Sequence, residues 1–140
     1  MYYQGASIAK FGITTTRGPT TPEIISCLQV FYNVTEAQAQ SAGIAAIIYM
    51  FVEPKYRGLG VGELALEAIA AIHAVQGLDF TVLVADDKGS GKLVQWYENN
   101  GFRTAPALQE LFGSIGLGMA MIRPVYVAPD VFSRCTIKYW

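Results

Sequence analysis

The sequence predicts a single α/β domain, and three observations predict it. Two apolar runs, 44–52 ("IAAIIYMFV") and 79–87 ("DFTVLVADD"), have the length and composition of buried strands. An apolar helical pattern over about 61–76 stands between them. A shorter helix within 88–102 ("KGSGKLVQWYENNGF") then leads to a further strand at 117–123 ("LGMAMIR"). Strand, helix, strand, helix, strand is the alternation of α/β architecture, and 140 residues make one domain with one core.

Each element has its own grounds. "TTTRGPTTP" (14–22) is turn-rich and sets an N-terminal arm, residues 1–22, apart from a domain over 23–123. In "EIISCLQVFYNV" (23–34), Ile24, Leu28, Val30, Tyr32 and Val34 share one alternating set, with Ser26 its polar member. That alternation predicts a strand. "TEAQAQSAG" is polar and ends in Gly43, as a short helical turn or a hairpin loop would. The strand at 44–52 stops at Glu53-Pro54, because proline has no N–H to give a ladder. Gly77 closes the long helix and Asn100-Gly101 the short one. Residues 124–140 are a C-terminal extension with β-prone residues around Pro124 and Pro129.

Ten basic and eleven acidic side chains leave a formal charge of -1, which speaks against nucleic acid or an anionic membrane as partner. Only 15% of residues are charged, against about 25% in ordinary soluble domains, and mean hydropathy is +0.31. So weakly polar a surface predicts a homo-oligomer or a subunit of a larger assembly. No basic start with an apolar h-region opens the chain, and the longest apolar run, 43–52, is too short to span a bilayer. The cytoplasm is the expected compartment. Cys27 and Cys135 sit outside any metal-ligand spacing and are expected to be reduced, and no metal site is expected. The sequon Asn33-Val34-Thr35 is then a chance match.

Residues 53–62 ("EPKYRGLGVG") place Gly58, Gly60 and Gly62 within five positions at the start of the long helix. Glycine costs a helix roughly 0.5–1 kcal/mol against alanine, so bare backbone must be needed there. A helix start presents unpaired N–H groups and partial positive charge, which suit a phosphate, and Lys55 and Arg57 add full charges. A tight turn with close helix–sheet packing would use the same glycines. Two other phosphate motifs fail. A Walker loop ending at Gly91-Lys92 would need glycine at Asp86 and Ser or Thr at Leu93, and a dinucleotide fingerprint from Gly58 and Gly60 would need glycine at Glu63.

Arg57-Gly58-Leu59-Gly60-Val61-Gly62 matches [RQ]-x-x-G-x-[GA], and Tyr97-Glu98-Asn99-Asn100-Gly101-Phe102 matches Y-x-x-x-G-F. In that order, after an apolar strand ending in Val52, the two blocks resemble the GNAT superfamily of N-acetyltransferases over about residues 44–123. The resemblance implies a central mixed sheet flanked by helices. It also implies that acetyl-CoA is the co-substrate and an amine the acceptor. The backbone of Met50, Phe51 and Val52 would hold the pantetheine arm, with an N–H of that strand polarising the acetyl carbonyl. Residues Arg57, Gly58, Leu59, Gly60, Val61 and Gly62 would hold the pyrophosphate. Tyr97 would be the general acid for the departing thiolate, and Ser90 stands where the family often has a CoA-side asparagine.

The chain also departs from the family. Only 43 residues precede the candidate fourth strand, where relatives usually fit three strands and two helices, so a shortened acceptor side is expected. Leu93 replaces a small residue, and residues 44–52 offer only Tyr49 as a titrating side chain. Glu53, Asp86 and Asp87 are the other candidate bases, although acids at strand ends are more often solvated than catalytic. His73 reads as a surface or packing residue of the long helix, and Trp96, Tyr97 and Phe102 as core rather than a base-stacking platform. The leading expectation is transfer of an acetyl group to an amine by direct attack. The alternative is a GNAT-like module with a structural or interaction role in an assembly.

Overall fold

The computed structural model describes residues 2–3, 6–7, 9–17, 22–112 and 118–125. β1 (Tyr2–Tyr3) pairs with β2 (Ala6–Ser7) as a small antiparallel ladder. β3 (Ala9–Arg17), α1 (Pro22–Tyr32), α2 (Glu36–Ser41) and β4 (Gly43–Val52) follow. A 3-10 turn (Pro54–Tyr56) leads into α3 (Val61–Val75), β5 (Phe80–Ala85) and α4 (Lys92–Asn99). β6 (Arg103–Thr104), a 3-10 segment (Pro106–Phe112) and β7 (Met119–Pro124) complete the order. The main sheet has five strands in the order β3-β4-β5-β7-β6. It is mixed: β4 and β5 are parallel, and the other neighbours are antiparallel.

Strand alternation divides the core between the two faces. Ile44, Phe80, Val82, Ala120 and Ile122 point to one face, where Ile24, Cys27 and Leu28 of α1, Ala39 of α2 and Leu108 cover them. Ile47, Leu83, Ala85 and Met121 point to the other, under Leu66 and Ile69 of α3 and Tyr97 of α4. Helices therefore flank a mixed sheet, as expected of the fold.

Two features of β4 set the shape of the glycine end of the sheet. Its register with β3 shifts at Gly12/Ile13: Tyr49 faces Gly12 and Ile47 faces Ile13, which leaves Ile48 as a bulged extra residue, 60% exposed. A one-residue bulge reverses the alternation, so Met50 packs on the same face as Ile47. Val52 packs beside it against Ala65 of α3. Second, β4 pairs with β5 only from Ile44 to Ala46, although β4 runs on to Val52 and β5 to Ala85. Beyond Ala46 the two strands part.

The structure corrects several sequence expectations. Residues 23–34 are not a strand but lie largely in α1, with Pro22 as its first residue. Ile24, Cys27 and Leu28 are buried at helical spacing, whereas Val30, on the supposed alternating set, is 76% exposed. The polar stretch after it resolves to a helix, α2, begun by a Thr35–Gln38 capping box. Two helices therefore precede β4, as in relatives, although α2 has only six residues. Residues 9–17, assigned by sequence to an arm outside the domain, pair with β4 along its whole length. Threonines suit a strand as well as a turn. The extension beyond residue 125 lies outside the described residues.

Candidate functional site

The glycine turn is built from the end of β4. Tyr56 and Arg57 return their N–H groups to Glu53 and Pro54 at 2.9 and 3.2 Å. The Arg57 side chain folds back, donating Nε–H to the Val52 carbonyl at 2.9 Å with its guanidinium 5.3 Å from the centre of the Phe51 ring. Gly58 and Gly60 then take φ of +78° and +81°, the left-handed region that side chains disfavour. Gly60 is the N-cap of α3, and no side chain caps the helix. Among the described residues, no carbonyl or side chain takes the backbone N–H groups of 58–63. A Cβ built on Gly58 or Gly60 would meet nothing within 4 Å. These N–H groups and the α3 dipole form an open, weakly positive cradle.

The cradle opens into a cleft of about 550 Å³. Met50, Phe51 and Val52 of β4 form one wall, just past the point where β4 leaves β5. Arg57, Gly58, Gly60, Gly62 and Glu63 form the floor, and Leu93 and Trp96 of α4 the far wall. Gly62 has its own reason to be small, since a Cβ there would sit 3.0 Å from Cζ2 of Trp96. The Trp96 indole N–H donates to Glu63 Oε1 at 2.9 Å and ties the two helix starts together.

At α4 the helix start is filled from within. Asp87 Oδ2 accepts the N–H groups of Leu93 and Val94 at 3.1 and 3.3 Å, and Oδ1 accepts that of Gly89 at 3.1 Å. Desolvation raises the Asp87 pKa, but these backbone hydrogen bonds prevail and hold the carboxyl below its usual range. Asp86 accepts the Lys88 N–H at 3.2 Å, and Ser90 Oγ that of Lys92 at 3.3 Å. Of the two helix N-termini beside the cleft, only that of α3 is left open.

The sequence-predicted residues separate accordingly. Met50, Phe51, Val52, Arg57, Gly58, Gly60 and Gly62 come together on the cleft. The Leu59 side chain points away, 70% exposed, and Val61 packs against Ala65. Ser90 is outside the cleft lining. Tyr97 is buried behind that lining, edge-on to Trp96 and Phe102 with ring centres 4.9 and 5.4 Å away. Burial pushes its phenol pKa up, against a smaller lowering by Arg123. The Tyr49 side chain is outside what the structure describes.

The sequence missed a buried polar cluster behind the site. Of the two readings of His73, surface or packing, the second holds: it is fully buried, with Nδ1 3.0 Å from Thr81 Oγ1. Burial, and then the charge of Arg123, lowers its pKa from 6.5 to about 4. Arg123 donates to the carbonyls of Asn100 and Leu66 at 3.0 and 2.9 Å and lies 4.6 Å from the Phe102 ring centre. A lone arginine in the apolar run "MAMIRP" was the available signal. Among the described residues no cluster of His, Cys, Asp or Glu could hold a metal ion, and no helix is long and apolar enough to cross a membrane.

Comparison with known proteins agrees with this fold. A crystal structure of a bacterial toxin superposes with a TM-score of 0.57 at 18% identity, over 93% of this chain and 65% of that one. A GNAT-family acetyltransferase from Staphylococcus aureus Mu50 superposes with a TM-score of 0.50, also at 18% identity, over 82% of this chain and all of that one. At such identities the likeness is one of fold. A search of curated proteins found no match. The family model for the acetyltransferase (GNAT) domain matches residues 22–104, more than half of the chain and spanning both sequence blocks. On that match, with the mixed sheet and the glycine turn in place, the chain belongs to the GNAT acetyltransferase family.

Proposed function

We propose that the chain is an acetyl-CoA-dependent N-acetyltransferase, acting in the cytoplasm on a primary amine. The observation that carries this is the run of unclaimed N–H groups at 58–63 opening into the cleft where β4 leaves β5. The pyrophosphate of CoA fits the N–H groups of Gly58 to Gly62, while Arg57 braces the turn and adds a full positive charge. The pantetheine arm fits along Met50, Phe51 and Val52, whose strand has no β5 partner at that level. Ser90, whose Oγ accepts the Lys92 N–H, is assigned no contact with CoA.

The thioester supplies an activated acetyl group. The amine nitrogen bonds to the carbonyl carbon, the C–S bond breaks, the amine loses a proton and the thiolate gains one. Tyr97, a phenol protonated at neutral pH and pushed further from ionising by burial, is our candidate to give that proton from just behind the cleft lining. A β4 backbone N–H would stabilise the oxyanion. No covalent enzyme intermediate is needed, because the ternary complex supplies proximity.

Calorimetry with acetyl-CoA, then thiol release over a panel of amines, tests the reading. Gly60→Val places a β-branched residue at φ +81° with its side chain in the cradle. It should abolish CoA binding while circular dichroism shows the fold retained. A variant that binds CoA like the parent would refute the cradle.

A further inference from the structure

We propose that Trp96 is a positioning residue for the cradle: its indole N–H latches the Glu63 carboxylate away from the N–H groups that would receive the pyrophosphate. The role of the latch rests on CoA binding at the cradle. Glu63 is the third residue of α3, after Gly60 as N-cap, Val61 and Gly62. A glutamate or glutamine at that position ordinarily reaches back to the N-cap N–H and is favoured there by the helix dipole. This chain does so at α2, where Gln38, also third in its helix, accepts the Thr35 N–H at 2.8 Å. At α3 the Gly60 N–H is left open, and the Glu63 carboxylate instead accepts the Trp96 indole N–H at 2.9 Å.

Trp96 is held where it can do this. Its ring lies so close to Gly62 that a Cβ there would be 3.0 and 3.3 Å from Cζ2 and Cη2, so the glycine serves the indole as well as the phosphate. An indole N–H only donates, so it restrains a carboxylate without competing for an anion's own donors. Gly60 is left-handed where Thr35 is extended, so a released Glu63 need not form the same box. Its side chain would still be free to swing toward the open N–H groups and set a negative charge in the cradle. The pyrophosphate would then face a like charge.

A four-protein cycle in CoA calorimetry tests the latch: the parent, Trp96→Phe, Glu63→Ala and the double variant, each checked by thermal melting. Trp96→Phe removes the indole donor together with the Cζ2 and Cη2 atoms beside Gly62, and the double variant separates the two losses, since only the first acts through Glu63. Trp96→Phe alone should weaken CoA binding by about fivefold or more, the scale of a helix-end charge effect plus repulsion. Adding Glu63→Ala should restore affinity to within about twofold of the parent, since the freed carboxylate is gone. If Trp96→Phe binds like the parent, or the double variant stays as weak as Trp96→Phe, Trp96 is a wall and no latch. A parent that binds no CoA would overturn the cradle itself, and the role of the latch with it.

Discussion

At the residue scale, the site rests on a few side chains and two glycines with no freedom to change. Tyr97 is the clearest case for chemistry. Tyr97→Phe removes only the hydroxyl from a packed ring, so acetyl-CoA affinity should hold while turnover falls. A positioned acid typically contributes about 10²–10⁴-fold. Stopped-flow thiol release across pH is the measurement, and unchanged turnover would remove Tyr97 from the mechanism. His73 carries a stability prediction instead. Its pKa drops from 6.5 to about 4 on folding, so the unfolded chain takes up a proton in a range where the folded chain does not. Stability is full above pH 6.5 and falls as pH drops towards 4, by about 3 kcal/mol for a shift of that size. Urea titrations of the parent and His73→Gln over that range should differ in slope. Parallel curves would mean that the buried imidazole is not held neutral.

At the element scale, Asp87 explains why the two helix starts by the cleft differ. Asp87→Ala leaves the Leu93, Val94 and Gly89 N–H groups without their acceptor. The Tm should fall by a few degrees, with Asp87→Asn, which keeps one acceptor oxygen, in between. An unchanged Tm would show that water replaces the carboxylate without cost. The elements from β4 to α4 were legible in the sequence because each carries its own period and its own stop: Pro54, Gly77, Asn100-Gly101. Residues 23–34 misled because Ile24, Leu28 and Tyr32 are compatible with both periods, and Cys27, which settles it, is easily passed over as an apolar residue. β3 was hidden because its pairing is long-range, nine residues against β4. The cradle was legible from its glycines. The Ile48 bulge, the parting of β4 from β5 and the Trp96–Glu63 bond were not, since each depends on contacts between segments far apart in the chain.

At the scale of the whole molecule, the question is what covers a weakly polar surface. Only 15% of residues are charged, and Val30, Ile48, Phe51, Leu59 and Val75 are large apolar side chains left exposed. Scattered singly they would need no explanation. β3 adds a second consideration, because it is nine residues long and, among the described residues, ends the five-stranded order with β4 as its one neighbour in that sheet. Long edge strands invite pairing with another chain, and β3 has no proline and only Lys10 and Arg17 as charges. The sequence beyond residue 125 carries Tyr126, Phe132, Tyr139 and Trp140, more aromatic surface than a solvated tail needs. We therefore expect the chain to self-associate rather than act as a free monomer. Light scattering at tens of micromolar should give at least the mass of a dimer. Removing residues 126–140 separates the two sources: a dimer that survives points to β3 and the folded surface, one that is lost points to the extension. A clean monomer both before and after trimming would leave self-association without support. The weight would then return to a chain that acts on its own.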